Sequence, residues 1–201
     1  MPIEIEIKMR LEALEPVEAA LEAAGGKSVQ RLQEHNTYFD TPDHSLKSSD
    51  QGLRLRVERW DDQRQIVITH KGPRAHGRTK TRAENEVEVT STTDAARLLT
   101  ALGYVPVMSF EKRRRRWTLD GCQVELDTVP YIGSFIEIEG PSEEAVLAVR
   151  KKLDLEDRPL IQASYIALLT THLQENGIQR QHVSFDDDPA EDPAAPAAAT
   201  A

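Results

Sequence analysis

The chain has 201 residues and a formal net charge of −9, the balance of 25 basic and 34 acidic residues. This length fits one domain with a sizeable core, and the acidic balance argues against a general nucleic-acid binder. Cys122 is the single cysteine, which excludes an internal disulfide and a cysteine-based zinc site and indicates a reducing compartment. No apolar run approaches the ~20 residues that cross a membrane. We therefore expect a cytoplasmic protein without a membrane or nucleic-acid partner.

Residues 3–10 alternate apolar and charged side chains without a fault, which predicts a β-strand with one apolar and one charged face. The charged face carries Glu4, Glu6, Lys8 and Arg10. Later stretches also place charged residues two positions apart, in both signs: Arg54 and Arg56; Glu84, Glu86 and Glu88; Lys112, Arg114 and Arg116; Glu125 and Asp127; Glu137 and Glu139. One such strand would be an ordinary surface strand, but a whole series of them favours a common explanation.

The other elements follow from periodicity and turn signals. Further strands are predicted over residues 29–39, 53–57, 64–71, 83–90, 105–119, 122–128 and 131–139. Helices are predicted over residues 14–24, from Thr92 or Thr93 to 102, from about 142, and over about 160–173. Residues 72–81 contain two glycines, a proline and several basic residues, so we expect a mobile loop there. The Ala/Pro/Asp-rich residues 176–201 are predicted to be a disordered tail.

A sheet closed into a barrel, with the charged faces turned inward, accounts for all of these strands at once. The predicted fold class is α+β: a closed antiparallel β-barrel of about eight strands with a charged tunnel and helices packed outside. The barrel domain is expected to span residues 1–175. Charged groups are costly to bury unless they pair, stay hydrated or bind a charged ligand, so we expect the function to lie inside the barrel.

The inward-facing charges suit one kind of ligand. Glu4 with Glu6, and Glu137 with Glu139, offer the hard oxygen ligands that Mg²⁺ or Mn²⁺ prefers, and Ca²⁺ would accept the same oxygens. Without metal we expect repulsion within these pairs, so that Glu4→Gln or Glu137→Gln leaves the fold intact or more stable. The bases that would bind phosphate oxygens in the same tunnel are Lys8, Arg54, Arg56, Lys71, Lys112 and Arg114. Acids for metal and bases for phosphate together indicate a metal–polyphosphate ligand.

At these residues the sequence resembles the CYTH superfamily, the triphosphate tunnel metalloenzymes. The matching motifs, in order within residues 1–173, are Glu4-x-Glu6-x-Lys8, Tyr38-Phe39-Asp40-Thr41, Leu53-Arg54-Leu55-Arg56, Lys71-Gly72-Pro73, Arg82-x-Glu84-x-Glu86, Glu111-Lys112-x-Arg114 and Glu137-x-Glu139. The sequence looks most like the class IV adenylyl cyclase branch. The residues behind that likeness are Ala101-Leu102-Gly103-Tyr104 leading to Phe110-Glu111-Lys112, Leu126-Asp127-Thr128-Val129-Pro130 and Ser164-Tyr165-x-x-Leu168-Leu169.

The resemblance implies a closed antiparallel barrel with two divalent-metal positions, for Mg²⁺ or Mn²⁺, and a bound triphosphate. The metal ligands would be Glu4, Glu6, Glu137 and Glu139, and the phosphate-binding residues would be the six bases named above. Catalytic roles would fall to Lys8, Glu84, Glu86 and Asp127.

Three functions are compatible with this pattern. The favoured one is an adenylyl cyclase that converts ATP to cyclic AMP and pyrophosphate. The alternative is a triphosphatase acting on inorganic triphosphate, thiamine triphosphate or a nucleoside triphosphate, because the complete pair Glu137 and Glu139 is more typical of the triphosphatase branches. The third is a non-catalytic polyphosphate-binding module. A monomer and a homodimer are both compatible with the sequence.

Overall fold

The computed structural model describes residues 3–75 and 77–187. Within these ranges eight long strands form one sheet: β1 (Ile3–Leu11), β2 (Lys27–Asp40), β3 (Gly52–Trp60), β4 (Gln63–Lys71), β5 (Lys80–Glu88), β6 (Val105–Leu119), β7 (Cys122–Val129) and β8 (Gly133–Glu139). The strand order is β2-β3-β4-β5-β1-β8-β7-β6, and these neighbours are antiparallel. β2 also pairs with β6, which joins the two ends of the sheet. The predicted closed barrel is therefore confirmed.

Helices flank the barrel in the described ranges: α1 (Glu15–Ala23), α2 (Ser45–Ser48), α3 (Thr92–Ala101), α4 (Glu143–Lys152) and α5 (Tyr165–Glu175). A serine precedes three of them, and the hydroxyl groups of Ser91, Ser142 and Ser164 each accept a hydrogen bond from a backbone N–H three residues on. Helix α3 is thus capped by Ser91 and not by the predicted Thr92 or Thr93. None of the helices in the described part of the chain is long and apolar enough to cross a membrane.

Helix α5 begins five residues later than predicted. The backbone N–H of Ile161 donates to the carbonyl oxygen of Lys8 at 2.8 Å. This hydrogen bond holds the segment before α5 against β1 in a non-helical conformation. The helix then starts at Tyr165, directly after its cap Ser164. This placement brings the first turn of α5 to the end of the barrel.

The hydrophobic core lies on the outside of the barrel, between the sheet and the helices. Ile7 and Met9 on the outer face of β1 are buried against Leu21 of α1 and Val146 of α4. A second cluster packs α5 onto the sheet through Leu169, and a third packs α3. Burial of each such side chain contributes roughly 1.5–3 kcal/mol. This exterior core offsets the cost of a charged interior.

The prediction of a disordered tail over residues 176–201 is wrong for its first part, which is structured up to residue 187. His182–Val183 form a short strand, β9, parallel to β6, and Val183 and Phe185 are 0% and 4% exposed. The guanidinium carbon of Arg113 lies 3.8 Å from the centre of the Phe185 ring. Residues up to 187 therefore pack on the barrel, while the rest of the predicted tail, residues 188–201, lies outside the described residues.

Candidate active site

The barrel encloses a cavity of 1220 Å³, and alternate residues of several strands contribute to its wall. On β1 the wall residues are Glu4, Glu6 and Lys8, whereas Ile5 and Ile7 between them pack in the outer core. Every sequence-predicted site residue lines this cavity except one, Asp127, which is 0% exposed and lies behind the wall. The structure thus brings the predicted set together in one tunnel.

The first carboxylate pair is neutralised by bases from β4 and β5. Glu4 accepts hydrogen bonds from Lys71 Nζ at 2.6 Å and from Arg82 Nε at 2.9 Å. Glu6 accepts from Lys80 Nζ at 3.1 Å. The register explains these partners, because Glu4 lies opposite Arg82 and Glu6 opposite Lys80 across the β1–β5 ladder.

The negative charge of Glu137, in the second carboxylate pair, is also balanced by nearby basic side chains. It lies 3.0 Å from Lys8 Nζ and 2.7 Å from a terminal nitrogen of Arg114. Burial alone would favour the neutral acid, but the charges of Lys8 and Arg114 outweigh it and hold the pKa of Glu137 well below its usual range. The expected repulsion is therefore wrong for Glu4 and Glu137, because both carboxylates have basic partners within salt-bridge distance.

Repulsion between carboxylates is concentrated at Glu139. Burial, followed by the negative charges of Glu4, Glu125, Glu6 and Glu84, raises the pKa of Glu139 to about 7. This carboxyl group sits on the last wall position of β8, opposite Glu6 of β1. A cation added at this point of the tunnel would relieve that repulsion.

The four predicted metal ligands all face the cavity, but they do not yet surround a common point. In the described residues no group of three or more His, Cys, Asp or Glu side chains is arranged to hold a metal ion. Their chemistry fits Mg²⁺ or Mn²⁺, which prefer carboxylate oxygens. The crowding of acids around Glu139 agrees with that fit. Metal binding stays a prediction, for which the list of ligands is Glu4, Glu6, Glu137 and Glu139.

The predicted catalytic residues of β5 lie along one wall. Glu84 accepts a hydrogen bond from Lys71 Nζ at 2.7 Å. Glu86 accepts from the Thr69 hydroxyl at 2.7 Å, and its side chain is 51% exposed. Arg54 donates to the same hydroxyl at 3.1 Å, while its buried Nε has no hydrogen-bond partner. A buried N–H without a hydrogen-bond partner carries a desolvation cost, which a hydrogen bond to a ligand oxygen would relieve.

Arg56, two residues after Arg54 on β3, is held by residues of β2 and β3. Its Nε donates to Asn36 Oδ1 at 2.9 Å and lies 3.3 Å from Glu34, and its terminal nitrogen lies 3.2 Å from Glu58. Glu34 is completely buried, and one of its oxygens lacks a hydrogen-bond partner. The positive charge of Arg56 is the main one that keeps the pKa of Glu34 well below its usual range despite burial.

Lys112 and Arg114 both donate hydrogen bonds to the carboxylate of Asp127. Asp127 accepts two hydrogen bonds from Arg114, at 2.7 and 2.6 Å, one from Lys112 Nζ at 3.2 Å and one from the Tyr165 hydroxyl at 2.8 Å. Arg114 also contacts Glu137 and Glu125. Asp127 is therefore the anchor of two predicted phosphate-binding residues.

The predicted site residues did not include five contributors to the tunnel: Glu34, Glu58, Lys80, Arg82 and Tyr165. Polar residues occur on both faces of β2, so alternation could not single out Glu34. Lys80 was placed in the predicted loop 72–81, whereas β5 begins at this residue because Glu6 lies opposite it. The loop itself is tied at the tunnel mouth, since Arg74 contacts Asp50 at 2.6 Å and donates to the Gln162 carbonyl oxygen at 2.7 Å.

Replacement of Glu139 by glutamine should raise the free energy of unfolding at pH 8 by roughly 1–3 kcal/mol. An unfolded glutamate has a pKa of about 4.3, whereas the folded group has a pKa of about 7. The folded state therefore binds the proton more tightly, and the wild type loses stability as the pH rises between these two values. Glutamine carries no such penalty. Urea unfolding of both proteins at pH 4 and pH 8, with a chelator present, should show equal stability at pH 4 and a gain at pH 8; an equal difference at both pH values would contradict this.

The fold and the wall together define a class of protein, a closed β-barrel whose tunnel pairs carboxylates with lysines and arginines. The family model described as the CYTH domain matches residues 2–165. The protein named adenylate cyclase CyaB from Aeromonas hydrophila is 30% identical over 155 residues, which are 77% of this chain and 77% of that relative. The chain belongs to the CYTH domain family.

Two solved structures show the same barrel. The PH1819 protein of Pyrococcus horikoshii has a TM-score of 0.75 at 27% identity, covering 84% of this chain and 98% of that one. The Hippeastrum protein HpAC1, described as having a dominant triphosphatase activity, has a TM-score of 0.65 at 21% identity, covering 88% of this chain and 97% of that one.

Proposed function

We propose that this protein is a divalent-metal-dependent adenylyl cyclase, which converts ATP to cyclic AMP and pyrophosphate inside the tunnel. The observation that carries the proposal is the composition of the cavity wall. Among the described residues the wall has twelve bases, namely Lys8, Lys47, Arg54, Arg56, Lys71, Arg74, Lys80, Arg82, Lys112, Arg114, Arg116 and Arg180. It also has ten acids, namely Glu4, Glu6, Asp40, Asp50, Glu58, Glu84, Glu86, Glu125, Glu137 and Glu139.

This balance favours a polyphosphate that arrives with metal ions. The buried Glu34 and Asp127 contact the wall bases from behind, so the two signs of charge nearly cancel. A triphosphate adds several negative charges to a site with no net positive charge to receive them. Cations bound at the carboxylates would restore neutrality, which supports Mg²⁺ or Mn²⁺ as the cofactor.

The residues of the tunnel then have separate tasks. Glu4, Glu6, Glu137 and Glu139 would hold the ions, which when bound would neutralise phosphate oxygens and lower the pKa of the attacking hydroxyl. Lys8, Arg54, Arg56, Lys71, Lys112 and Arg114 would bind the triphosphate.

The reaction needs an in-line attack on one phosphorus. The ribose 3′-hydroxyl attacks the α-phosphorus, and the bond between that phosphorus and the oxygen bridging to the β-phosphorus breaks. The lysines and arginines of the wall stabilise the leaving pyrophosphate. Glu86 is the candidate to take the hydroxyl proton, because its carboxylate is half exposed at the cavity edge and has no base closer than Arg54 at 3.8 Å. Glu84 would hold Lys71 in place beside it. The name of the Aeromonas relative supports the cyclase reading.

A triphosphatase is the second candidate. The same bases would hold the substrate, and a water molecule would attack the terminal phosphorus. Two observations favour it: both acids of the last pair, Glu137 and Glu139, are present, and the Hippeastrum neighbour is described as having a dominant triphosphatase activity. A polyphosphate-binding module is the third candidate, and it would show binding without turnover.

A 3′-deoxy analogue of ATP should separate these candidates by an all-or-none result. A cyclase should bind the analogue and release no pyrophosphate, because the nucleophile is missing. A triphosphatase should still release orthophosphate from the analogue and should cleave inorganic triphosphate, which a cyclase would only bind. Phosphorus NMR of each mixture with Mg²⁺ or Mn²⁺ identifies the products. Rapid orthophosphate release from inorganic triphosphate would contradict the cyclase proposal and support the triphosphatase.

A further inference from the structure

Tyr165, the first residue of α5, lines the tunnel. It is 7% exposed, and its hydroxyl donates to Asp127 Oδ2 at 2.8 Å. The ammonium nitrogen of Lys8 lies 3.6 Å from the centre of its ring, and that of Lys112 lies 5.3 Å away. One aromatic side chain thus touches two predicted phosphate-binding lysines and the carboxylate that anchors the second of them.

These contacts have a definite electrostatic effect. The face of an aromatic ring attracts cations, and the attraction grows where water is excluded, so the ring stabilises the two ammonium groups beside it. Burial, followed by the charges of Asp127 and Glu137, raises the pKa of the Tyr165 hydroxyl well above its usual range. The hydroxyl therefore stays protonated and remains a donor to Asp127.

The position of the ring is fixed from several sides. The Ser164 hydroxyl accepts a hydrogen bond from the Ala167 N–H and so sets the start of α5. Phe135 meets the ring edge to face, with the ring centres 5.1 Å apart. The Lys8 ammonium group also lies 3.4 Å from the carbonyl oxygen of Ala163, which ties β1 to the residues before the helix.

We propose that Tyr165 is a positioning residue for phosphate binding, acting through Lys8, Lys112 and Asp127. This inference rests on the proposed function, because it concerns how the same tunnel holds a triphosphate. Asp127 accepts four hydrogen bonds, from Lys112, twice from Arg114, and from Tyr165. Asp127 is 0% exposed and does not line the cavity, so it belongs to the same positioning unit and not to the reacting groups.

Two substitutions separate the hydroxyl from the ring. Tyr165→Phe keeps the ring and its packing but removes the donor to Asp127. Tyr165→Leu removes the ring as well. Tyr131→Phe is the matched control, because the Tyr131 hydroxyl donates to the backbone carbonyl of Asp187, outside the tunnel wall. All three are compared with the wild type by circular dichroism and thermal unfolding before binding is measured.

The readout is calorimetric titration with imido-bridged inorganic triphosphate and Mg²⁺, which reports the dissociation constant and the number of sites separately. We expect the dissociation constant to rise about 5-fold for Tyr165→Phe and about 30-fold for Tyr165→Leu, with one site per chain in each case. The value for Tyr131→Phe should equal that of the wild type. In turnover assays the loss should appear mainly in KM.

A purely structural role predicts a different result. If Tyr165 only anchored α5, its loss would reduce the fraction of folded protein and the number of sites, while the dissociation constant of the remaining sites would stay at the wild-type value; this outcome would overturn the proposal. Should Tyr165→Leu fail to fold, Tyr165→Phe decides alone. If the wild type bound no triphosphate, the proposed function itself would be overturned, and the positioning role with it.

Discussion

Replacement of Arg114 by methionine should lower the free energy of unfolding by about 3–5 kcal/mol and abolish triphosphate binding. The Arg114 side chain is 5% exposed and contacts Asp127, Glu137 and Glu125, and its Nε lies 3.5 Å from Glu34. Methionine has a similar volume and no charge, so it would leave these carboxylates uncompensated in the interior. Urea unfolding measures the stability, and calorimetry with inorganic triphosphate and Mg²⁺ measures the binding.

Arg113→Met is the matched control for this substitution. Arg113 is the preceding residue of β6 and faces the outside, where its guanidinium group lies over Phe185. The change should cost less than about 1 kcal/mol and leave triphosphate binding unchanged. Wild-type stability in Arg114→Met would mean that the buried carboxylates are neutralised without Arg114, and would contradict the charge arrangement of the tunnel.

Replacement of Glu4 by glutamine should reduce Mg²⁺-dependent turnover by about 100-fold or more, because it removes one anionic ligand from the proposed metal site. The amide group of glutamine can keep only one of the two hydrogen bonds, because Lys71 and Arg82 donate to different carboxylate oxygens of Glu4. Loss of the charge should therefore lower the stability by roughly 1–2 kcal/mol, the opposite of the gain expected from the sequence. Turnover is measured across a Mg²⁺ titration, and stability by urea unfolding.

The control for Glu4 is Glu12→Gln, which removes an exposed carboxylate just beyond the end of β1. This variant should keep wild-type turnover at every Mg²⁺ concentration. If Glu4→Gln had the same Mg²⁺ dependence and the same turnover as Glu12→Gln, Glu4 would have no part in metal binding. A turnover restored at high Mg²⁺ would instead agree with a weakened metal site.

The sequence predicted the barrel and its inner face because both depend on a local signal. Alternation along residues 3–10 assigns Glu4, Glu6 and Lys8 to one side of a strand whatever its neighbours are. The same alternation divides the four consecutive arginines of β6, so that Arg114 and Arg116 line the cavity. The structure keeps these period-two patterns because successive side chains of a regular strand point to opposite faces of the sheet.

The partners of these side chains could not be predicted, because they depend on register between distant segments. Nothing near Glu6 in the sequence indicates that Lys80 lies opposite it. A short apolar signal is equally hard to recognise: in the packed segment after α5, only Ile178, Val183 and Phe185 are apolar, and polar residues surround them. Tyr165 was noted as part of a family motif, but its contact with Asp127 became visible only when α5 was placed against the barrel.

The position of β1 between β5 and β8 has a consequence for how the chain is made. The charges of this first strand find their partners on β5 and β8, which are synthesised far later: Lys80, Arg82 and Glu137. Pairings so distant in sequence make folding slow, because a long loop must close before any of them contributes. An emerging chain that ends before β8 would hold Lys8 without Glu137. We therefore expect ribosome-bound chains shorter than about 139 residues to remain protease-sensitive, with protection gained in a single late step.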